Sequence, residues 1–231
     1  MKDINMNKRF HTALAKIKQQ ILLLGSKVEE RVHLATSAIA SCNAESATKV
    51  IKSDFEIDEF EVEIEEECLK ALALYQPVAV DLRFLIAVIK INNDLERIGD
   101  QAVNIAQRVM TMSKETHGCN FFFDYSVMVK KTKVMLRQSL DALVNMDIDL
   151  AINVCQMDDE VDKIKHEAYR SIKQTMKQYP EQLRYLINLF LISRHLERLA
   201  DHSTNIAEEV IYMIEGEIVR HGRTELDKLS Q

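Results

Sequence analysis

The stretch NDLERIGDQAVNIA (93–106) returns near the end of the chain as RHLERLADHSTNIA (194–207). Leu-Glu-Arg, then Asp, then Asn-Ile-Ala keep the same spacing in both places, 101 residues apart. That offset also relates LRFLI (82–86) to LRYLI (183–187). Further upstream an offset of 104 carries Val50, Asp54, Glu56, Asp58 and Tyr75 onto Val154, Asp158, Glu160, Asp162 and Tyr179. Self-similarity at a fixed period marks a duplicated structural unit. The three-residue change of offset falls where YQPVAVDL in the first copy meets the shorter YPEQL in the second, and a proline in both marks a turn between helices.

Each copy reads as three helices. Phe10, Leu14, Ile17, Ile21, Leu24, Val28, Val32, Ala35 and Ile39 recur at steps of three and four, one apolar stripe along a long helix. A second helix is expected over about 45–74 and a third over 78–112. SKETHGCN (113–120) breaks the pattern, which predicts a linker at 113–121. Tyr125, Val129, Thr132, Leu136, Leu140 and Leu143 then open a fourth helix, with a fifth over about 149–178 and a sixth over 181–216. Only five Gly, two Pro and no Trp leave few turn residues for a sheet. The expected fold is all-α: six helices as two tandem-duplicated three-helix bundles, 1–112 and 122–216, followed by a weakly ordered tail, 217–231.

Composition excludes several functions. Of the 231 residues 47% are hydrophobic, enough to bury a core, and the net charge is -6 with Lys and Arg scattered. No basic face for nucleic acid is present. The longest apolar run, FLIAVI (84–89), falls far short of the roughly 20 residues that cross a bilayer, so no membrane insertion is expected. MKDINMNKRF at the start has no apolar signal core, and the cytoplasm is the expected compartment. Cys42, Cys68, Cys119 and Cys155 form no Cys-x-x-Cys pair and are expected to be reduced, core-type thiols.

The chemistry lies in the repeat. At about 100 degrees per residue, Leu95, Ile98, Ala102, Ile105 and Val109 face a core, while Asn93, Glu96, Asp100 and Asn104 gather on roughly the opposite side. The second helices supply a matching row: Asp54, Asp58 and Glu61, continued by Glu65, in the first copy, and Asp158 with Asp162 in the second. Nine of the fourteen residues from Asp54 to Glu67 are acidic and none is basic. Each like-charge pair one turn apart costs about 0.2 to 0.5 kcal/mol, an expense that a bound cation offsets. Oxygen-only donors suit hard ions such as Mg, Ca, Mn or ferric iron. A merely solvated acidic face is the alternative, but the reproduction of Glu96 and Asp100 as Glu197 and Asp201 favours metal. Where the first row has Glu61 and Glu65, the second has Lys165 and Tyr169, which lowers its negative charge.

Other constellations carry less. His195 and His202 stand where the first copy has Asp94 and Gln101 and read as surface or helper residues. Arg97 with Arg198, and Arg83 with Arg184, occupy matched positions suited to ion pairs or to an acidic partner. One Glu-x-x-His, at Glu30 and His33, is too few for a di-iron carboxylate bundle. No glycine-rich phosphate loop or nucleophile elbow is present, so an enzyme is not expected. A carboxylate-bridged metalloenzyme and a metal-free helical scaffold remain as alternatives.

LLLGSKVEERV (22–32), YQPVAVDLR (75–83), both Leu-Glu-Arg motifs and the closing ELDKL (225–229) together resemble the PhoU family, regulators of bacterial phosphate uptake, over nearly the whole chain. The resemblance implies two similar three-helix bundles and a non-enzymatic negative regulator of phosphate uptake and of the phosphate-starvation response. It implies an adaptor at the inner face of the membrane, linking the ATP-binding subunit of the phosphate ABC transporter to the phosphate-sensing histidine kinase. A homodimer is a separate expectation, since an acidic surface metal site could equally bridge two copies. It also implies metal clusters of iron, zinc, magnesium or manganese on Glu/Asp-x-x-x-Asp motifs, here Glu96 and Asp100 with Asp54 and Asp58, and Glu197 and Asp201 with Asp158 and Asp162.

Overall fold

The computed structural model describes residues 2–115 and 122–216. Its helices run α1 (Lys2–Ser41), α2 (Ala44–Lys52), α3 (Phe55–Tyr75), α4 (Ala79–Met112), α5 (Ser126–Asn145), α6 (Ile148–Gln178) and α7 (Leu183–Glu215), with a 3₁₀ turn at Pro180–Gln182. Residues 116–121 of the expected linker and the expected tail, 217–231, lie outside the described residues. Among the described residues no helix is long and apolar enough to cross a membrane.

The duplication is visible in the caps. Asn43 starts α2, its side-chain oxygen accepting from the amides of Glu45 and Ser46 at 2.9 and 3.1 Å. At the matched position Asp147 starts α6, accepting from the Leu150 amide at 3.1 Å. Such an acceptor satisfies otherwise orphaned donors of the first turn and stabilises a helix by about 1 kcal/mol. The two prolines stand in the turns between α3 and α4 and between α6 and α7, where Gln76 takes a left-handed φ of 48° and the 3₁₀ turn replaces it in the second copy.

One expected helix is divided. The segment expected over 45–74 breaks at Ser53 and Asp54 into α2 and α3. The cause is Arg31 of α1, only 5% exposed, whose Nη1 donates to the Asp54 carbonyl at 3.3 Å and whose Nη2 donates to the Ser53 carbonyl. The offset of 104 places Met135, which has no donor to offer, where Arg31 stands, and α6 runs unbroken. Among the described residues, the six helical arms of two three-helix units are therefore realised as seven α-helices.

The units share one continuous core. α1 packs on α2, α3 and α4, α5 packs on α6 and α7, α1 touches α5, and α4 lies against α7 at the centre. Two packed sides explain why α4 buries Leu85, Ala87, Val88, Ile91, Leu95 and Ile98 along a near-continuous apolar run.

α4 and α7 run antiparallel, pinned by polar contacts that the repeat relates to one another. His202 Nδ1 meets Asp94 Oδ1 at 2.8 Å, and His195 Nδ1 meets Gln101 Oε1 at 2.9 Å. Positions 94 and 195, and 101 and 202, correspond at the offset of 101, so the two contacts are one crossing seen from either side of a pseudo-two-fold axis. Asn205 Nδ2 also donates to Asp94, at 3.1 Å, and Lys90 Nζ pairs with Glu209 at 2.8 Å. The expectation that His195 and His202 are surface or helper residues is thereby corrected: both join the two units, and His202 is buried. The matched arginines do likewise. Arg83 lays its guanidinium against Gly216 at the end of α7, and Arg184 pairs with Glu115 beyond the end of α4 at 3.4 Å.

Cys68 and Cys155 are free thiols, pushed up to about 12 by burial. The expectation of reduced thiols is corrected at Cys42, which is disulfide-bonded. Cys42 stands in the turn after α1 at φ 47°, outside the helix in which a thiol would pack into the core. Cys119 lies outside the described residues.

Candidate metal sites on the carboxylate faces

In the first unit the break after α2 delivers Asp54, and the next turns of α3 add Asp58 and Glu61, while α4 presents Glu96 and Asp100. α3 is fixed against α4 by buried Asn92, whose Nδ2 donates to the Glu61 carbonyl at 2.8 Å. Asp58 and Asp100 are exposed, and Asp54, Glu61 and Glu96 are partly buried. The five side chains form one electrostatic cluster. Partial burial, then Asp100, Asp58 and Glu61, push Glu96 up to about 7. Burial and Asp58 raise Asp100, against Arg31 and Arg97. Burial, Asp58 and Asp100 raise Asp54, although Arg31 Nη1 donates to its Oδ1 at 3.2 Å. Burial, Glu65 and Asp58 raise Glu61.

The second unit repeats the arrangement with a cation built in. Asp158 and Asp162 come from α6, and Glu197 and Asp201 from α7. Burial, then Glu197, Asp158 and Asp162, push Asp201 up to about 7, and burial followed by Asp162 raises Asp158, which accepts from Thr204 Oγ1 at 3.4 Å. Lys165, in the place of Glu61, donates to Glu197 and lies 3.7 Å from Asp162. Burial pulls its ammonium down, but Glu197, Asp162 and Asp201 outweigh that and hold it above its ordinary value.

All nine predicted site residues therefore fall on two matched faces, one per unit. Among the described residues no group of three His, Cys, Asp or Glu already stands in metal-holding geometry. What the donor set offers is chemical. Four carboxyl groups of the first unit resist ionisation because they share a partly desolvated face, and a hard cation removes that conflict. The oxygen-only donor chemistry of the first unit would suit such an ion. In the second, the Lys165 ammonium already neutralises Glu197. Asn205, the counterpart of Asn104, donates to Asp94 across the interface between units.

An expected result follows from the exchange at this position. Lys165→Glu restores the residue of the first unit, so the second face should bind Mn²⁺ at least about tenfold more tightly than in the wild type. Titration calorimetry in a Glu96→Gln/Asp100→Asn background isolates that face. Unchanged affinity would show that Lys165 does not govern it.

The family profile described as the PhoU domain matches residues 21–109 and again 126–210. The chain is 34% identical over 217 residues to the phosphate-specific transport system accessory protein PhoU homolog of Pseudomonas aeruginosa, covering 94% of this chain and 90% of that protein. It is 38% identical over 208 residues to the homolog so named from Aquifex aeolicus, covering 90% and 94%. The crystal structure of PhoU from Pseudomonas aeruginosa superimposes with a TM-score of 0.87 at 34% identity, over 90% of this chain and 100% of that one. That of the phosphate transport system regulatory protein PhoU from Streptococcus pneumoniae gives 0.80 at 32% identity, over 91% and 99%. With two copies of the family's domain, relatives above 30% identity along nearly their whole length and the same fold, the chain belongs to the PhoU family.

Proposed function

We propose that this protein is an accessory and negative regulator of phosphate uptake and of the phosphate-starvation response. It acts as an adaptor between the ATP-binding subunit of the phosphate ABC transporter and the phosphate-sensing histidine kinase. The observation that carries the regulatory part is the agreement of relatives covering nearly the whole chain, named as accessory or regulatory proteins of phosphate transport. The rigid core, continuous across both units, suits a docking platform, and these partners hold it at the inner face of the membrane.

The carboxylate faces are its metal sites. Asp54, Asp58, Glu61, Glu96 and Asp100 would hold a cation in the first unit, and Asp158, Asp162, Glu197 and Asp201 would do so more weakly in the second. The ion, one of iron, zinc, magnesium or manganese, supplies charge that locks α3 to α4 and shapes the surface a partner meets. Asp58 and Asp100 are exposed to solvent, whereas a metalloenzyme needs an open coordination position shielded from water, which supports a non-enzymatic role. Homodimerisation through one of these faces is compatible with the same surface chemistry.

Deleting the gene is the test of the regulatory role. Phosphate-starvation genes should then be expressed in phosphate-rich medium and be silenced again by the wild-type gene. Normal repression in the deletion strain would count decisively against it.

A further inference from the structure

Two clefts beside α4 and α7, partly related by the pseudo-two-fold axis, differ in charge: the first is strongly acidic, and the second mixes cations with Glu197 and Asp201. One, of about 610 Å³, is lined by Glu61, Glu65, Asp94, Glu208 and Glu209 among others. At the corresponding positions of the other unit stand Lys165, Tyr169, His195, Gln107 and Arg108, and Asn93 becomes Arg194. A groove of about 490 Å³ opens there between α6 and α7, lined by Lys165, Phe190, Arg194, Glu197, Arg198 and Asp201.

Lys165 is spent on Glu197 and Asp162, but Arg194 and Arg198, both exposed, form no ion pair among the described residues. Arg108 of α4 lies near His195, as Arg194 and Arg198 do, and has a buried Nε that lacks an acceptor among the described residues. Three guanidiniums without a carboxylate partner among the described residues, on a chain whose net charge is -6, are a local feature that solubility does not call for. The wall beside them is aromatic: Phe190 meets the Tyr169 ring edge-on at 5.7 Å.

We propose that this groove docks an acidic segment of a partner protein, with carboxylates on Arg194 and Arg198 and an apolar side chain against Phe190. Side chains one helical turn apart lie roughly 5 to 6 Å from each other, within reach of carboxylates two residues apart on an extended segment, about 7 Å. Guanidinium–carboxylate pairs give both direction and strength. A free oxyanion has no use for the aromatic wall, and a protein segment uses both features. The protein nature of the occupant rests on the adaptor role proposed above. The assay below contains neither transporter nor kinase, so it can fail while that role stands.

The probe is a short fluorescein-labelled peptide rich in glutamate with one phenylalanine, followed by anisotropy at low salt. The full chain should bind it, and Arg194→Gln/Arg198→Gln should weaken binding by about tenfold or more, the loss expected for a charge-assisted pair. Lys8→Gln/Arg9→Gln, which removes two exposed charges elsewhere, should leave binding unchanged. All four side chains are exposed, so matching melting curves should show that every variant folds. Three results would overturn the proposal: equal weakening by both double variants, displacement of the peptide by equimolar inorganic phosphate, or a wild-type dimer in sedimentation that the arginine variant dissolves. The second would make the groove an oxyanion site, and the third would make its occupant another copy of the chain.

Discussion

Arg31→Met is expected to cost the fold about 2 to 3 kcal/mol. The buried guanidinium serves the carbonyls of Ser53 and Asp54 and the Asp54 carboxylate, and methionine serves none of them. Removing one partner of a fully buried pair costs about 3 to 5 kcal/mol. Asp54 keeps 36% of its side-chain surface in water, which places the expected loss at or below the lower end of that range. The second unit tolerates Met135 at the same point because α6 is unbroken there and its carbonyls bond within the helix. Urea unfolding of metal-free protein should show a lower midpoint with an unchanged slope, and Arg31→Lys should lose less. An unchanged midpoint for Arg31→Met would mean that something else holds the break between α2 and α3.

The second large effect is on pH dependence. The carboxyl group of Glu96 is pushed up to about 7 by partial burial and then by Asp100, Asp58 and Glu61, and that of Asp201 also reaches about 7, by burial and then Glu197. A carboxyl group raised in the folded state contributes stability that is complete below its ordinary range and is lost as pH rises through the raised value. Metal-free protein should therefore lose stability between about pH 4.5 and 7, by about 1 kcal/mol for each group after allowance for solvent screening. Glu67, Asp124 and Glu160, which are lowered, act in the opposite sense only at more acid pH, outside that window. His195, pulled down to about 4 by burial and then by Arg108, Arg198 and Arg194, acts in the opposite sense inside it and offsets part of the loss below its ordinary value of 6.5. Glu96→Gln should flatten its share of the slope. A saturating cation should abolish it, because a ligand of the folded state at about 100 times its Kd adds about 2.7 kcal/mol. A slope of the same size in Glu96→Gln would remove Glu96 as the titrating group.

Much of this was legible in the residues. The offsets of 101 and 104 reveal the two units, and the apolar stripe of α1 and the prolines after Tyr75 and Tyr179 place its ends and turns, because periodicity and turn chemistry are local. The carboxylate faces were legible for the same reason: residues three and four apart share a face whatever lies around it. Contacts between distant residues were not. Nothing in SDFE (53–56) signals a helix break, since the donor that makes it comes from Arg31, on another helix. The roles of His195 and His202 depend on which side of α7 meets α4. A signal was available in retrospect, as the two histidines stand at the offsets of Asp94 and Gln101, the residues they contact. Cysteine spacing carried no trace of the Cys42 bond.

The difference in charge between the two clefts is likewise invisible to a wheel drawn on one helix. Glu61 and Lys165 differ by one substitution, but the consequence is that one duplicated surface offers carboxylates to a cation while the other holds its own. Duplication supplied two equal faces, and single exchanges at matched positions have made them unequal.

The central claim is that the first face holds metal and the second holds less. Elemental analysis of protein purified without chelator tests it, comparing the wild type with Glu96→Gln/Asp100→Asn and with Glu197→Gln/Asp201→Asn. The wild type should carry bound metal, the first variant should lose most of it, and the second should keep most of it. Equal, near-zero metal in all three proteins would contradict the claim outright.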